Sequence, residues 1–268
     1  MRIGIVIPLY LSSELLIDFT KQTVESIKSD EHSIILYLIV NYAKPELYPK
    51  PESFNFWQSI KEVKIIDNPK GNEVGASWNF GIKNALADSN EYVMVLNNDL
   101  VLHHKCVDNL ILFAQDHPEF ILWTASEWID IKTIGGVKEA QLSQDFNEHP
   151  HFSYFMVNRK TIDTVGYFDE NLKVAYMEDG DMHYRILLSG NKAGKTESAK
   201  FYHYGSRTIH VDDELYDQNK KTYEDNRNYI WLKWHIDFHD KVFVPPEDIL
   251  KVGYKHPFNN EAKTWKDW

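Results

Sequence analysis

The chain has 268 residues, of which 43% are hydrophobic, and this is enough for one catalytic domain with a large buried core. Lysine and arginine total 29 against 40 acidic residues, so the formal net charge is −11. This charge argues against a nucleic-acid-binding surface, because phosphate backbones require clustered cations, and the single cysteine, Cys106, excludes an internal disulfide.

Apolar runs alternate with helical patterns through the first half of the chain. Strands are predicted at residues 2–7, 34–40, 63–66, 92–96 and 120–124. Helices are predicted after a cap at Ser12 or Ser13 and at residues 76–87 and 107–115. This order predicts an α/β protein with a Rossmann-like, mostly parallel central sheet flanked by helices, although the order alone fits many such proteins.

The second half of the chain has fewer clear elements. Residues 127–151 have weak periodicity. Strands are predicted at 152–157 and 199–203, and helices at 160–165 and 216–234. The apolar face predicted for the last helix contains Tyr223, Ile230, Trp231 and Trp234. Its two tryptophans suit sugar stacking, but aromatic residues at helical spacing more commonly belong to a core.

Three acids, Glu178, Asp179 and Asp181, stand at the start of a predicted helix that continues through Met182 and Ile186. Carboxylates in a first turn suit the positive end of the helix dipole. A junction between a loop and a helix also lets one carboxylate point outward while its neighbours brace it. By itself, the cluster equally fits an ordinary charged helix start.

A second polar cluster, Asn97-Asn98-Asp99, follows the predicted strand at 92–96. Residues beyond the carboxyl ends of strands form the ligand-binding crevice of open α/β sheets. Asp99 can offer a hard oxygen to a divalent cation, and Asn97 can form a hydrogen bond with a sugar hydroxyl. The same residue types also favour a simple turn at the end of a strand.

Together these segments resemble the family 2 glycosyltransferases of the GT-A fold, from residue 3 to about residue 207. Residues 3–10 are similar to the first strand and nucleotide loop of that family, and residues 68–85 to its donor loop and following helix. The stretch 97–99 stands at the D-x-D position, with asparagine as its first residue, and 178–181 stands at the E-D-x-D position. The stretch 203–206 resembles a late histidine that completes the metal site in many members.

The resemblance implies an inverting, metal-dependent glycosyltransferase that moves a sugar from a UDP- or dTDP-sugar to a hydroxyl of a glycan or glycolipid. Members that build surface glycans, including rhamnosyl- and galactofuranosyl-type enzymes, are the most similar. Asp179 would be the general base, while Glu178 and Asp181 would orient the acceptor or brace the loop. Asp99 and His203 would hold Mn²⁺ or Mg²⁺. The residues expected to bind the donor are Pro8, Tyr10, Asn41, Asn68, Gly75, Asn79, Asn97 and Asn98.

Two other functions stay open at this point. A nucleotidyltransferase would have a similar sheet, but its first loop is typically rich in glycine and basic, and residues 8–13 contain neither glycine nor a cation. A non-catalytic protein that binds a sugar or a nucleotide is the other alternative, because Asn97 stands where the family has an acid.

The expected organisation is a catalytic domain at residues 1–210 and a helical extension at 211–268 packed on it. Within the catalytic domain, residues 1–125 would bind the nucleotide-sugar and residues 126–210 the acceptor. The first strand begins at residue 2 or 3, and the longest apolar run, 34–40, is too short to span a bilayer. We therefore expect a cytoplasmic protein, with peripheral contact to a membrane left open.

Overall fold

The computed structural model describes residues 1–69, 71, 73–205 and 207–234. The strands are β1 Arg2–Leu11, β2 Ser33–Ala43, β3 Ile60–Asp67, β4 Tyr92–Leu96, β5 Leu100–Leu102, β6 Phe120–Glu127, β7 Phe146–Asn147, β8 Tyr154–Val157 and β9 Lys192–His203. The helices are α1 Glu14–Ser26, α2 Val74–Ala87, α3 Cys106–Asp116, α4 Ile131–Ile134, α5 Arg159–Val165, α6 Glu178–Leu188, α7 Arg207–Val211 and α8 Asp213–Trp234.

The strands form one sheet with the order β3-β2-β1-β4-β8-β6-β9-β5, and β7 pairs with β9. The ladders from β3 through β2 and β1 to β4 are parallel, as is the ladder between β6 and β9. The sheet is therefore mixed but mostly parallel, with helices on its faces, and the predicted α/β class is confirmed.

Two antiparallel strands shape the edge of the sheet where β4 ends. Strand β8 lies between β4 and β6, and its register pairs Leu96 with Tyr154. Strand β5 pairs Leu100 with His203 of β9. These pairings bring the chain before β8 and the end of β9 to the residues that follow β4.

Strand β9 is longer than the predicted strand at 199–203, because it begins at Lys192. Its first half contains glycine, lysine and glutamate, which have low strand propensity, but it pairs in parallel with the buried strand β6. Strand β5 was not predicted at all, since its three residues are too few to show a period.

The core lies on both faces of the sheet. Side chains alternate along β1, so that Ile5 and Ile7 pack on one face and Val6 packs on the other. Helix α2 lies close to β1, because a Cβ atom built at Gly81 would stand 2.1 Å from a methyl carbon of Val6. A glycine is therefore required at this helix position for the close approach.

Helix α8 packs on α6 through Ile230 and Trp234, which are 1% and 3% exposed. The prediction that Trp231 belongs to the buried apolar face of this helix is wrong, because Trp231 is 52% exposed. Residues 235–268 of the expected extension lie outside the described residues. Within the described ranges, none of the helices combines the length and the hydropathy that a bilayer span requires.

Candidate active site

A cavity of about 340 Å³ opens at the carboxyl ends of β1, β2 and β4. Its wall also includes the residues before β8, the end of β9 and the start of α6. Nine predicted site residues line it: Pro8, Tyr10, Asn41, Asn97, Asn98, Asp99, Glu178, Asp179 and His203. The structure thus brings the D-x-D position, the E-D-x-D position and the late histidine to one cavity, although Asp99 and His203 are 104 positions apart in the sequence.

The pairing of β5 with β9 places His203 beside Asp99. The His203 Nε2 atom lies 3.1 Å from an oxygen of Asp99, and both side chains are largely buried. The backbone holds this geometry, since the Tyr204 amide donates to the Asp99 carbonyl at 3.1 Å. Among the described residues, Nε2 of His203 has no hydrogen-bond partner, so its contact with Asp99 is close without being a hydrogen bond.

These two side chains fit a metal site that is completed by the substrate. The Nδ1 atom of His203 lies 3.3 Å from the hydroxyl of Ser153. A histidine that donates through Nδ1 presents the lone pair of Nε2 to a metal, and a neighbouring carboxylate supplies an oxygen ligand. In the described part of the chain, no three histidine, cysteine or acidic side chains are grouped as a preformed site. A metal held by Asp99 and His203 alone would have coordination positions open for other ligands.

Asn68 lies behind the cavity wall and holds a residue that lines it. Its side-chain nitrogen donates to the Asn41 Oδ1 atom at 2.8 Å, and the Ser77 hydroxyl donates to the same oxygen at 2.8 Å. Both hydrogen bonds fix the amide of Asn41 at the end of β2. Asn68 therefore orients a predicted donor-binding residue and does not line the cavity itself.

Gly75 and Asn79 of α2 support the loop before the acids. The Asn79 side chain accepts from the Phe168 amide at 2.8 Å and donates to the Phe168 carbonyl at 2.8 Å. A Cβ atom at Gly75 would contact the Asp169 carbonyl at 3.4 Å, so the helix and the loop are closely packed. Neither residue lines the cavity. Ser206, the last residue of the histidine motif, lies outside the described residues.

Asp181 is fully buried and does not line the cavity. One of its oxygens lies 2.6 Å from the ammonium of Lys233 and accepts from the Trp234 indole at 2.8 Å, while the other accepts from Arg185 Nε at 2.9 Å. Burial opposes ionisation here, but the charges of Lys233 and Arg185 hold the pKa of Asp181 at about 2. Of its two predicted roles, these contacts correspond to bracing.

Glu178 and Asp179 differ in their surroundings, although they are neighbours in the first turn of α6. Burial, and then the adjacent Asp179 carboxylate, raise the pKa of Glu178 to about 8. Asp179 is exposed to the cavity, and its Oδ1 atom accepts from the Gly180 amide at 2.7 Å. The enclosing protein still reduces its hydration, and this burial raises the pKa of Asp179 from its ordinary value. At neutral pH, Glu178 is therefore a proton-bearing hydrogen-bond donor, and Asp179 is the better proton acceptor.

His151 and Ser153 are site residues that the sequence did not indicate. His151 lines the cavity, its Nε2 atom lies 3.2 Å from an oxygen of Glu127, and burial lowers its pKa. The carbonyl of Ser153 accepts from the Asn97 amide at 3.0 Å. Both residues reach the site because β8 runs antiparallel to β4, and no local pattern in residues 127–153 predicts that direction.

The backbone before the acids has an unusual conformation that also could not be predicted. Val174, Tyr176 and Met177 have φ angles of 57°, 78° and 80°. Few residues other than glycine adopt such angles, and for a β-branched valine they are a genuine outlier. Strained backbone of this kind concentrates at functional sites, where the surrounding structure holds it in place.

Comparison with known proteins identifies the family. The family model for glycosyl transferase family 2 matches residues 4–168, which is more than half of the chain. The chain therefore belongs to glycosyl transferase family 2. A galactofuranosyl glycosyltransferase of Leishmania donovani is 36% identical over 67 residues, which cover 25% of this chain and 15% of that protein.

Solved structures show the same fold. Residues 1–349 of TarS from S. aureus superpose with a TM-score of 0.57 and 14% identity, covering 91% of this chain and 76% of that one. The same part of TarS in complex with UDP gives the same values. GalNAc-T7 with UDP, GalNAc and Mn²⁺ superposes with a TM-score of 0.58 and 13% identity, covering 94% of this chain and 53% of that one. The predicted GT-A fold is confirmed.

Proposed function

We propose that this protein transfers a sugar from a nucleotide-diphosphate donor to a hydroxyl of a glycan acceptor, with inversion at the anomeric carbon and with Mn²⁺ or Mg²⁺ as cofactor. One observation carries the proposal: the pair Asp99 and His203 and the pair Glu178 and Asp179 line the same cavity. The first pair suits the leaving diphosphate, and the second suits the attacking hydroxyl.

The donor half of the site combines an aromatic surface with an oriented amide. The rings of Tyr10 and Tyr42 stack with centroids 4.9 Å apart. Tyr10 lines the cavity, and its flat aromatic ring is suited to contact with a nucleobase. Hydrogen bonds from Asn68 and Ser77 fix the side-chain amide of Asn41. This amide can therefore form a hydrogen bond with a polar group of the base or the ribose. UDP in the TarS and GalNAc-T7 structures supports a uridine donor.

The charge of the site supports the use of a metal. Among the described residues that line the cavity there is no lysine or arginine, whereas Asp99 and Asp179 are acidic. A diphosphate entering this cavity needs local positive charge. A divalent cation held by Asp99 and His203 would neutralise the departing diphosphate oxygens. The Mn²⁺ in the GalNAc-T7 structure supports this assignment.

Asp179 would accept the proton of the acceptor hydroxyl while the hydroxyl oxygen bonds to the anomeric carbon and the bond to the diphosphate breaks. One displacement of this kind inverts the anomeric configuration. Glu178, which retains its proton at neutral pH, would donate a hydrogen bond to the acceptor. The similarity to the galactofuranosyl glycosyltransferase of Leishmania supports a galactofuranosyl-type donor.

A panel of sugar nucleotides tests the proposal. Thermal unfolding with UDP- and dTDP-sugars, each with and without Mn²⁺, should identify a donor that raises the melting temperature only with metal. Product formation with that donor and a panel of glycan acceptors should follow. Asp179→Asn should retain donor binding and lose transfer by about 10²- to 10⁴-fold, the usual contribution of a general base.

Three results would contradict the proposal. If the wild-type protein binds a sugar nucleotide with metal but neither transfers the sugar nor hydrolyses the donor, it is a non-catalytic binding protein. Release of pyrophosphate from a nucleoside triphosphate and a sugar phosphate would indicate a nucleotidyltransferase. A product with retained anomeric configuration would exclude the single displacement.

A further inference from the structure

The backbone at residues 173–177 determines where Glu178 and Asp179 point. Met177 is the N-cap residue of α6 and has φ of 80° and ψ of −16°, so its conformation sets the direction of the first helical turn. Tyr176 and Val174 have positive φ as well. L-residues rarely adopt these angles, and the segment therefore needs contacts from outside to maintain them.

Asn226 of α8 supplies such contacts. Its Oδ1 atom accepts from the Lys173 amide at 2.8 Å, and its Nδ2 atom donates to the Lys173 carbonyl at 2.8 Å. The same nitrogen lies 3.3 Å from the Ala175 carbonyl and 3.5 Å from the Tyr176 carbonyl. The partners determine the amide orientation, since an N–H needs an acceptor and carbonyls need a donor. The side chain is 2% exposed, so water does not compete for these groups.

The helix that carries Asn226 is itself firmly attached behind the acids. The ammonium of Lys233 lies 2.6 Å from a carboxylate oxygen of Asp169 and 2.6 Å from one of Asp181, with all three side chains buried. The Tyr229 hydroxyl donates to the same oxygen of Asp169 at 2.7 Å. These contacts fix α8 against both the loop before the segment and helix α6. Asn226 therefore acts from a rigid support.

The opposite side of the segment is held by α2. The Val74 amide donates to the Val174 carbonyl at 2.8 Å. The segment is thus held between α2 and α8, and Asn226 is the side chain that satisfies its backbone groups on the α8 side. Val174 and Ala175 of the segment pack near Tyr10 of the donor half. The other donor-side groups are held elsewhere, because Asn41 is fixed by Asn68 and Ser77, and Asp99 lies against His203 of β9.

We propose that Asn226 is a positioning residue for catalysis, which holds residues 173–177 in the conformation that directs Asp179 at the acceptor hydroxyl. The inference rests on the proposed glycosyl transfer and assigns part of the catalytic apparatus to α8. Asn226 contacts no substrate and acts only through the backbone before α6. Its loss should therefore impair the proton transfer far more than the binding of the donor.

The test compares Asn226→Ala and Asn226→Asp with Asn228→Ala, which removes an exposed asparagine from the same helix. For each protein the measurements are kcat and KM for the donor identified in the panel, the Kd of UDP with Mn²⁺, the pH profile of kcat and the melting temperature. Asn226→Asp keeps the size of the side chain and replaces the donor of its amide with a second acceptor.

For Asn226→Ala, kcat should fall by about 10- to 100-fold, the usual effect of a small misplacement of a catalytic group. The Kd of UDP should stay within about twofold of the wild-type value, because a change confined to the transition state leaves ground-state binding unaltered. The acid limb of the kcat profile should move to lower pH as Asp179 gains contact with water. Asn228→Ala should match the wild type in all four measurements.

Several results would overturn the inference. One such result is that Asn226→Ala and Asn228→Ala have the same kcat. Another is that Asn226→Ala loses as much affinity for UDP as it loses in kcat. Failure of both Asn226 variants to fold would make the residue a requirement of folding instead. A wild-type protein that transfers no sugar contradicts the proposed function itself, while an active wild type with an equally active Asn226→Ala contradicts only the positioning role.

Discussion

Replacing Glu178 with glutamine should stabilise the folded protein at neutral pH, and the gain should increase as the pH rises. Burial, and then the charge of Asp179, raise the pKa of Glu178 from 4.5 to about 8. Between these two values the folded protein retains the proton, whereas the unfolded chain releases it. The unfolded state then binds fewer protons, so the wild-type free energy of unfolding falls with rising pH. A glutamine carries no such proton and removes this contribution.

The magnitude follows from the slope of the linkage relation. One group that is protonated when folded and ionised when unfolded changes the free energy of unfolding by about 1.4 kcal/mol per pH unit. From pH 5.5 to 7.0, the difference between Glu178→Gln and the wild type should therefore grow by roughly 2 kcal/mol. This window lies above the pKa of the unfolded group and about one unit or more below the raised pKa, so the folded protein keeps most of its proton throughout it.

Urea unfolding of both proteins at several pH values in this window measures the difference directly. Glu46→Gln, at an exposed position, controls for the loss of one carboxyl group elsewhere on the surface. A difference between Glu178→Gln and the wild type that stays constant with pH would show that Glu178 is ionised in the folded protein. An ionised Glu178 would compete with Asp179 for the role of general base. The assignment of Glu178 as hydrogen-bond donor and Asp179 as proton acceptor would then be refuted.

Three further results are expected. Asp99→Ala should abolish metal-dependent nucleotide binding without unfolding the protein, and calorimetry with UDP and Mn²⁺ checks this; equal affinity in both proteins would refute the assignment. His203→Ala should shift the Mn²⁺ requirement for activity to higher concentration, and an unchanged metal titration would make the histidine structural. Lys233→Met should lower the free energy of unfolding by about 3–5 kcal/mol, because it leaves two buried carboxylates without their shared cation. Exposed Lys221→Met is its control in urea unfolding, and similar stability of the two variants would show that the buried pairs are weak.

The sequence by itself determined the fold class and most of the elements that carry the site. Hydrophobic periodicity is a local property, and it correctly indicated the parallel strands β1, β2 and β4 and helix α2. The motifs at 97–99 and 178–181 were also local, and both lie at the cavity. Their residues and their order along the chain carried the resemblance to the family, which the family model then confirmed.

The tertiary structure alone decided which side chains meet. The antiparallel direction of β8 brings His151 and Ser153 to the cavity, and the pairing of β5 with β9 places His203 against Asp99. Neither pairing leaves a periodic signal, since short strands show too few repeats and sheet partners are chosen by burial across the whole core.

The same reason explains why Asp181 braces the site while Asp179 faces the cavity. The two residues stand in the same helical turn and have the same chemistry, so local sequence treats them alike. Lys233, 52 positions further along the chain, neutralises Asp181 in the protein interior, and Asp179 is left to face the cavity. Long-range partners therefore assign the roles, because the free energy of a buried carboxylate depends on the charges that the fold places around it.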